Sequence, residues 1–209
     1  MDRHDSLTEQ LFLLAYDTGK GRLVSRSELG HALRAAVLAD LLLAGHLTDE
    51  RGKAAIGSPA PGTDPARDEI LRQIREGRAR SWQHWVARRR PAMVPAVRER
   101  LAAEGTITVD SRRVLGLFPV HRVTVRRPYA VKHLVEEVRR AVRGGTPVAR
   151  VDTRLGVLAA LAGTAELRTV LSWSERRRHK ARLAELGGPV QPVVTGLRKA
   201  IQAARASAG

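Results

Sequence analysis

The stretch LGHALRAAVLADLLLAGHL, residues 29–47, constrains the fold most, because it is almost wholly apolar and yet contains Arg34. Its apolar side chains recur at every third or fourth position, which is typical of a helix that is buried over most of its circumference. A guanidinium loses too much hydration to be buried alone, so it needs a carboxylate, a route to water or an anionic ligand. Arg34 is therefore either a structural ion-pair residue or part of an anion pocket.

The composition favours a helical domain. The 209 residues suffice for one large domain or two small ones. Aromatic residues make up only 3% of the chain and hydrophobic residues 43%, so the core must consist of Leu, Val and Ala, which favours helices. Since no low-complexity segment or obvious linker divides the chain, we predict one compact, mainly α-helical domain over residues 1–209.

The order of the helices follows from apolar periodicity and from turn residues. Ser6 and Glu9 form a capping-box pattern at the start of the first helix, and Pro91 is expected to end the fourth. Helices are expected at about 6–16, 29–44, 66–76, 81–89, 94–104, 128–142, 153–171, 174–186 and 189–205.

Two segments predict β-hairpins. A short one is expected within 46–57, and TITVDSRRVLGLFPVHRVTV (106–125) is the clearest β signal, with a turn at Asp110–Ser111. The run from 114 to 125 would place Leu117 and Phe118 near an apex. Such a tip either packs on its own domain or, if exposed, is an interaction element for another subunit or for lipid. We expect short β-wings and one projecting hairpin.

The chain is strongly basic. It has 37 basic residues against 21 acidic ones, a net charge of +16, and only five of the 37 are lysines. Much Arg beside much Ala is in part what a GC-rich genome produces, but a folded chain with this charge also attracts polyanions. Nucleic acid and an anionic membrane surface are both suitable partners, and the sign of the charge does not choose between them.

The sequence also restricts the compartment and the mode of membrane association. The chain has no cysteine, which excludes disulfides and cysteine-ligated zinc and fits a reducing, intracellular setting. Its first residues, MDRHDSLTEQ, contain no apolar signal segment. Because no run of about 18 uncharged apolar residues is present, any membrane association is expected to be peripheral, on the cytoplasmic, inner face.

No catalytic constellation is visible. The seven histidines show no His-x-x-x-His spacing, so a metal site is not expected. The DTGKG segment lacks the preceding strand and the following Ser/Thr of a phosphate-binding loop, and no serine has the context of a nucleophile elbow. We therefore expect a protein that is not an enzyme and that uses no cofactor.

Two basic segments contain tryptophan. SWQHWVARRR (81–90) places Trp82 and Trp85 on one helical face ahead of three arginines. Core packing with basic capping of the helix end is the simpler interpretation, and an anion surface beside an apolar anchor is the alternative. WSERRRHKAR (173–182) is most simply a solvated basic helix face.

A faint internal repeat supports an alternative function. At a spacing of 60 residues, LLLAGHLT and RLAAEGTIT both consist of a helix end, a glycine (Gly45 and Gly105), an apolar residue and a threonine before a hairpin. A helix followed by a β-wing also ends winged-helix proteins, which bind DNA. The helices before the two wings, however, lack a row of polar side chains that could read bases.

Together, several segments resemble the Golgi phosphoprotein 3 family, which has bacterial members common in actinobacteria. Their order and spacing match best over residues 6–145, and the helical part over 146–209 is similar to the C-terminal bundle of the family. The matching segments are LTEQLFLLAYDTGKGRLV, LGHALRAAVLADLLLAGHLT, APGTDPARDEILRQI, SWQHWV, VRERLAAEGTIT and RRVLGLFPVHRV.

The resemblance implies a mostly α-helical domain with a projecting hairpin. It also implies a peripheral membrane protein that binds phosphatidylinositol 4-phosphate through a basic surface pocket. The partners expected on this basis are an anionic phospholipid and a second copy of the chain, bound through the apolar hairpin residues Leu115, Leu117 and Phe118. Nucleic acid is the less favoured partner.

The head-group pocket of the family consists of a Trp, an Arg in the Leu-Arg of the long helix, and two further Arg. Arg34 falls on the first Arg, whereas Ser25 falls where the Trp is expected. Aligned on Gly105, the other two Arg correspond to Pro91 and Val94.

Alignment on VRERL instead gives Arg98 and Pro95, so the nearest substitutes are Arg89, Arg90 and Arg98. As a pocket residue, Arg34 should be partly accessible, should lie near other arginines and should have no saturating carboxylate. As a structural residue, it should pair with Asp40, Asp68 or Glu69.

Overall fold

The computed structural model describes residues 6–24, 26–58, 65–114 and 118–208, without the side chains of 26–27, 65–66, 111–114 and 118–122. More than half of the described residues lie in α-helices, which confirms the predicted fold class. These helices are α1 (Leu7–Leu14), α2 (Arg26–Leu43), α3 (Pro65–Glu76), α4 (Trp82–Ala87), α5 (Arg90–Ala103), α6 (Pro128–Arg143), α7 (Thr153–Thr164), α8 (Trp173–Arg178), α9 (Lys180–Leu186) and α10 (Gln191–Ala206).

The strands of the described residues pair only as antiparallel hairpins. They are β1 (Tyr16–Asp17), β2 (Arg22–Leu23), β3 (Leu47–Glu50), β4 (Lys53–Ile56), β5 (Ile107–Val114) and β6 (Phe118–Val125), paired as β1–β2, β3–β4 and β5–β6. The first hairpin was not predicted, because DTGKG was expected only to end a helix.

Helix α2 is the centre of the molecule. Every residue from 29 to 41 is buried, and α1, α4, α5, α7 and α10 pack around it. The prediction of a helix buried on most of its circumference is confirmed. One hydrophobic core extends from Leu7 to Ile201 and includes Trp82 and Trp85, so the two tryptophans are core residues, as the simpler interpretation held.

The internal repeat is also a structural repeat. Both α2 and α5 end in a left-handed glycine, Gly45 with φ +74° and Gly105 with φ +70°. In each case the amide after the glycine donates to the carbonyl five residues earlier, as in a Schellman motif. Each unit then continues into a hairpin. Since α2 is wholly buried, it cannot enter a DNA groove as a recognition helix.

Two predicted boundaries are wrong: the helix end at Pro91 and the turn at Asp110–Ser111. Pro91 lies in the first turn of α5 rather than ending a helix, because its missing amide is not needed there. Strand β5 runs without interruption through Asp110 and Ser111, which pair with Arg122 and His121. The pairing continues as far as Val114 and Phe118, so the long hairpin has eight paired positions on each strand.

The base of the long hairpin belongs to the core, since Ile107, Val123 and Val125 are buried and the Tyr16 hydroxyl donates to the Val123 carbonyl at 3.0 Å. At the other end, Phe118 pairs with Val114 next to the turn, where the apex was predicted. Leu115 and Leu117 lie outside the described residues, and of Phe118 only the backbone is described.

The predicted capping box at the first helix does not match the contacts. The Ser6 hydroxyl accepts from the Thr8 amide, while Glu9 is buried and lies 2.9 Å from Arg100 Nε. A capping box forms instead at α8, between Ser172 and Glu175. Glu9 pairs with Arg100 rather than capping the helix, because its face of α1 is buried and a buried carboxylate needs a cation beside it.

The C-terminal helices are shorter than predicted. Helix α7 ends at Thr164, because Glu166 adopts a left-handed conformation with φ +56° and the chain turns there without a glycine. The helix predicted at 174–186 is divided into α8 and α9 at His179. The turn after α7 places Glu166 among arginines from other helices, a contact that favours the strained backbone.

Asp40 connects four elements. It is buried in α2 and accepts from the Leu7 amide of α1 at 3.1 Å. It also accepts from Arg67 of α3 at 3.3 Å and from Arg154 of α7 at 2.6 Å. Burial raises the pKa of Asp40 more than the two guanidinium groups lower it.

We expect Asp40→Asn to destabilise the fold by about 2–3 kcal/mol, because it removes the charge that compensates two arginines and alters the cap of α1. The arginine side chains are 37% and 42% exposed, so water offsets part of the loss. Urea unfolding of Asp40→Asn measures this loss of stability. The control is Asp110→Asn, which changes an exposed carboxylate. Equal midpoints for both variants would show that the Asp40 contacts add no net stability.

Candidate anion-binding site

Arg34 is held by the end of another helix. Its Nε donates to the Trp85 carbonyl at 3.1 Å, and this carbonyl belongs to the last turn of α4, where it has no acceptor role within the helix. The residue is only 4% exposed. Arg34 therefore lacks the accessibility that was expected of a pocket residue, because α4 covers it.

The far edge of the same guanidinium is unsatisfied. Arg34 Nη2 is buried and has no hydrogen-bond partner among the described residues. Two of the three carboxylates proposed for a structural pair have other partners: Asp40 pairs with Arg67 and Arg154, and Glu69 pairs with Arg72 at 2.7 Å. A buried donor without a partner costs free energy, so this edge has capacity for an acceptor.

Neighbouring cations make the charge on Arg34 still less favourable. Burial lowers the pKa of Arg34 to about 10, and the positive charges of Arg88 and Arg89 contribute to the lowering, against a smaller opposing effect of Glu69. Arg34 stays protonated near neutral pH. An anion placed beside these three arginines would remove the repulsion and raise the pKa.

The junction between α4 and α5 supplies these cations. Arg88 donates from Nε to Gln73 Oε1 at 3.0 Å, and its guanidinium lies 5.9 Å from the centre of the Trp85 ring. Arg89 is exposed and has the left-handed φ of +53°. The indole Nε1 of Trp85 is a second buried donor without a partner among the described residues.

The junction can approach α2 because Gly30 has no side chain. A Cβ at this position would lie 2.5 Å from the Arg90 carbonyl, so any larger residue would displace the start of α5. Arg90 then reaches His31, which is only 1% exposed, with Nη1 2.9 Å from the ring Nε2. Since Arg90 can only donate, His31 accepts as a neutral imidazole.

The predicted site residues are only partly brought together. Arg34 and Arg89 interact electrostatically, and Arg88 acts on Arg34 in the same way. Arg90 is directed to His31 instead, and Arg98 lies further along α5, about 12 Å from Arg90 along the helix axis. Ser25 lies outside the described residues.

Arg88 was expected only as part of the basic run 88–90 and not as a named head-group residue. Its place at the start of the RRR run beside Trp85 was the available signal, because a basic residue that follows a short helix can lie over the aromatic ring one turn earlier.

Two general features of the described residues bear on function. They contain no group of three or more His, Cys, Asp or Glu side chains that could hold a metal ion. None of their helices is both long enough and apolar enough to cross a membrane.

The molecule is thus of the class of mainly α-helical proteins in which five helices pack around a buried central helix, which here carries an arginine close to other cations. A family model of Golgi phosphoprotein 3 (GPP34) matches residues 7–204, and the chain belongs to this family. The match includes the C-terminal helices as well as the part that resembled the family best. No curated protein matches the chain significantly.

We expect His31 to destabilise the protein in acid. Burial, followed by the charge of Arg90, lowers the pKa of His31 from 6.5 to about 4. Between these values the unfolded chain binds a proton that the folded chain does not, so stability falls as the pH falls. At pH 4.5 the loss relative to neutral pH should be about 2–3 kcal/mol.

Urea unfolding of His31→Gln at pH 7 and pH 4.5 measures this contribution, with His133→Gln, an exposed histidine, as the control. The acid loss should be smaller in His31→Gln than in the natural chain, and unchanged in the control. An identical acid loss in all three proteins would contradict a neutral, buried His31.

Proposed function

We propose that the protein is a non-enzymatic, peripheral membrane module that binds the phosphorylated head group of an anionic lipid at the site around Arg34. By resemblance to the family, the lipid is phosphatidylinositol 4-phosphate, and the membrane face is the cytoplasmic one. The ligand chemistry is that of a phosphate monoester, which offers several acceptor oxygens and up to two negative charges.

The observation that carries the proposal is the unsatisfied edge of Arg34. Its Nη2 is a buried charged donor without a partner in the described part of the chain, and Arg88 and Arg89 add positive charge beside it. A phosphate oxygen satisfies such a donor with a short, charge-assisted hydrogen bond. Because Arg34 is only 4% exposed, we propose that α4 shifts on binding to admit the phosphate. The arrangement favours an anionic ligand because it is electrostatically unfavourable when empty.

The site differs in composition from the pocket that the resemblance implies. Ser25 stands where the family has a Trp, and the two further Arg fall on Pro91 and Val94 by the alignment on Gly105 or on Arg98 and Pro95 by the alignment on VRERL. We propose that Arg88 and Arg89, at the junction of α4 and α5, supply the missing charge. The whole chain carries a net charge of +16, which adds a long-range attraction to an anionic leaflet.

DNA binding is the alternative that the experiment must address. Because α2 is buried, one of the two helices that precede a β-wing cannot enter a DNA groove. Helix α5 is only partly exposed and presents mainly alanine, proline and paired charges. The net charge alone would still give salt-sensitive, sequence-independent DNA binding, so duplex DNA belongs in the test.

We expect Arg34→Gln to weaken binding to vesicles with phosphatidylinositol 4-phosphate by about 2–4 kcal/mol, because it removes a buried charge-assisted contact. Folding stability should change little. Glutamine can still donate to the Trp85 carbonyl, and the charge that is lost was unfavourable in the empty protein. Liposome flotation and thermal melts measure the two effects.

Arg34→Lys keeps the charge but loses the planar donor fork, so it should bind at an intermediate level. Arg150→Ala removes an exposed charge elsewhere and should bind almost normally. A large drop in melting temperature for Arg34→Gln, with unchanged binding per folded molecule, would retire the proposed site. Tighter binding to duplex DNA than to any vesicle would favour the alternative function.

We further propose that the long hairpin joins two copies of the chain through Leu115, Leu117 and Phe118. The register places Phe118 next to the turn, away from the buried base of the hairpin. A paired strand with an apolar tip is a suitable element for self-association.

Phe118→Asp should therefore reduce the mass of the protein in analytical ultracentrifugation while its melting temperature stays nearly constant, because a charge at the tip opposes an apolar contact. Thr124→Asp, on an exposed position of the same strand near the base, is the control. Unfolding by Phe118→Asp alone would mean that this side chain belongs to the core.

A further inference from the structure

Trp173 is exposed although tryptophan is among the most costly side chains to leave in water. It is 64% exposed, whereas Trp82 and Trp85 are 2% and 3% exposed. Of the large hydrophobic residues in the described part of the chain, only Tyr129 is similarly exposed. Trp173 is therefore an isolated aromatic ring at the surface rather than part of a wide apolar patch.

The structure fixes the turn that presents this ring. Trp173 is the first residue of α8, which begins with a capping box between Ser172 and Glu175. Arg143 of α6 binds the same Glu175 carboxylate at 2.9 Å. The hydrogen bonds from Ser172 and the Arg143 guanidinium hold the pKa of Glu175 at about 2, so this anchor of the turn persists over the physiological pH range.

One cation stacks on the exposed ring, and further basic residues follow it in the sequence. The Arg177 guanidinium lies 5.3 Å from the centre of the Trp173 ring, and Arg178 and Lys180 follow closely in the sequence. An aromatic ring with an apolar body and a polar N–H is suited to the boundary between lipid head groups and acyl chains. Basic side chains at the same depth bind the phosphates of anionic lipids.

Helix α8 is linked by ion pairs to the N-terminal end of α2, whereas Arg34 lies near the middle of that helix. Arg176 of α8 lies 3.8 Å from Glu166, which binds Arg205 at 3.1 Å. Arg205 in turn lies 3.3 Å from Glu28 of α2. Glu28 is six residues before Arg34, a distance of about 9 Å along the helix.

We infer that Trp173 and the basic residues of α8 form a second membrane contact, in which the indole ring inserts at the interface of an anionic bilayer. The inference rests on the proposed function for the kind of membrane, but not on the phosphate pocket. A peripheral protein needs a second contact for stable attachment, because one weak interaction alone gives only reversible binding.

A bilayer fits these observations better than a protein or a nucleic acid does. A protein partner commonly binds a cluster of apolar residues with a polar rim, and Trp173 has no exposed large apolar neighbour among the described residues of its surroundings. Stacking on an unpaired base is the other use of an exposed aromatic beside arginine, and it is an outcome of the test.

The fluorescence of the full chain tests the inference directly. All three tryptophans are described, and only Trp173 is exposed to water, so quenching by iodide reports on this residue. Trp85 lies in the site around Arg34, so each emission change is compared with that of Trp173→Phe. With vesicles of phosphatidylcholine and phosphatidylglycerol we expect a blue shift, protection from iodide, and quenching by brominated acyl chains. Trp173→Phe should abolish the changes in emission.

Trp173→Ala should weaken partitioning into these vesicles about tenfold. Insertion of the exposed part of the ring should give roughly half of the transfer free energy of a fully buried aromatic side chain. Tyr129→Ala is the matched control, because it removes an exposed ring, with Lys132 stacked on it, at the other end of α6 from Arg143. Arg34→Gln should leave the emission changes with phosphatidylglycerol vesicles in place.

The outcomes separate this inference from the proposed function. Vesicle binding that depends on Arg34 while Trp173 stays open to iodide would overturn the anchor and leave the head-group site standing. Protection of Trp173 from iodide without any effect of phosphatidylinositol 4-phosphate would support insertion of Trp173 and contradict the head-group site. Quenching of Trp173 by single-stranded DNA but by no vesicle would overturn the anchor in favour of base stacking.

Discussion

The burial of α2 is the constraint on which the rest of the structure depends. A helix enclosed by five others must satisfy each of its polar side chains inside the protein, and the described part of α2 buries three such side chains, His31, Arg34 and Asp40. Asp40 is compensated by two arginines and an amide, and His31 is kept neutral as an acceptor for Arg90. Of these three, Arg34 keeps its charge with only part of its hydrogen-bonding capacity used. This difference in hydrogen bonding favours a functional role for Arg34, because an apolar residue at position 34 would destabilise the fold less than a partly unsatisfied charge does.

The sequence predicts the fold where local chemistry decides it. Periodicity locates α2 because a buried helix needs apolar residues on every side, and the glycines after α2 and α5 locate both helix ends because a left-handed residue closes them and glycine adopts that conformation without strain. Prediction fails where tertiary contacts override local preference. The pairing of β5 with β6 holds Asp110 and Ser111 in a strand although both favour turns. Glu166 takes the left-handed position after α7, where a glycine is usual, because arginines from α8 and α10 stabilise it there.

The site was predictable to the same limited extent. An arginine in an apolar helix signals a special position, so Arg34 could be found from its neighbours in the sequence. The proximity of Arg88 to Arg34 could not be predicted in this way, because it depends on how closely the start of α5 approaches α2. That approach is determined by the missing side chain of Gly30, and a glycine inside a helical pattern does not by itself indicate which element packs against it. Charge in the sequence indicates that anions are attracted, but only packing determines which few arginines act together.

The internal repeat accounts for the place at which the charges meet. At the spacing of 60 residues that relates Gly45 to Gly105, Gly30 corresponds to Arg90, and these two residues are in contact. Contact between equivalent positions is what an approximate two-fold arrangement of α2 and α5 produces, as in an isologous interface. By the same spacing, Arg34 corresponds to Val94, the position at which the family resemblance expects a pocket arginine. The approximate two-fold axis that passes near Gly30 and Arg90 thus relates Arg34 of the first unit to Val94 of the second. Because the second unit has valine at that position, the positive charge that acts on Arg34 comes instead from Arg88 and Arg89, at the neighbouring junction of α4 and α5.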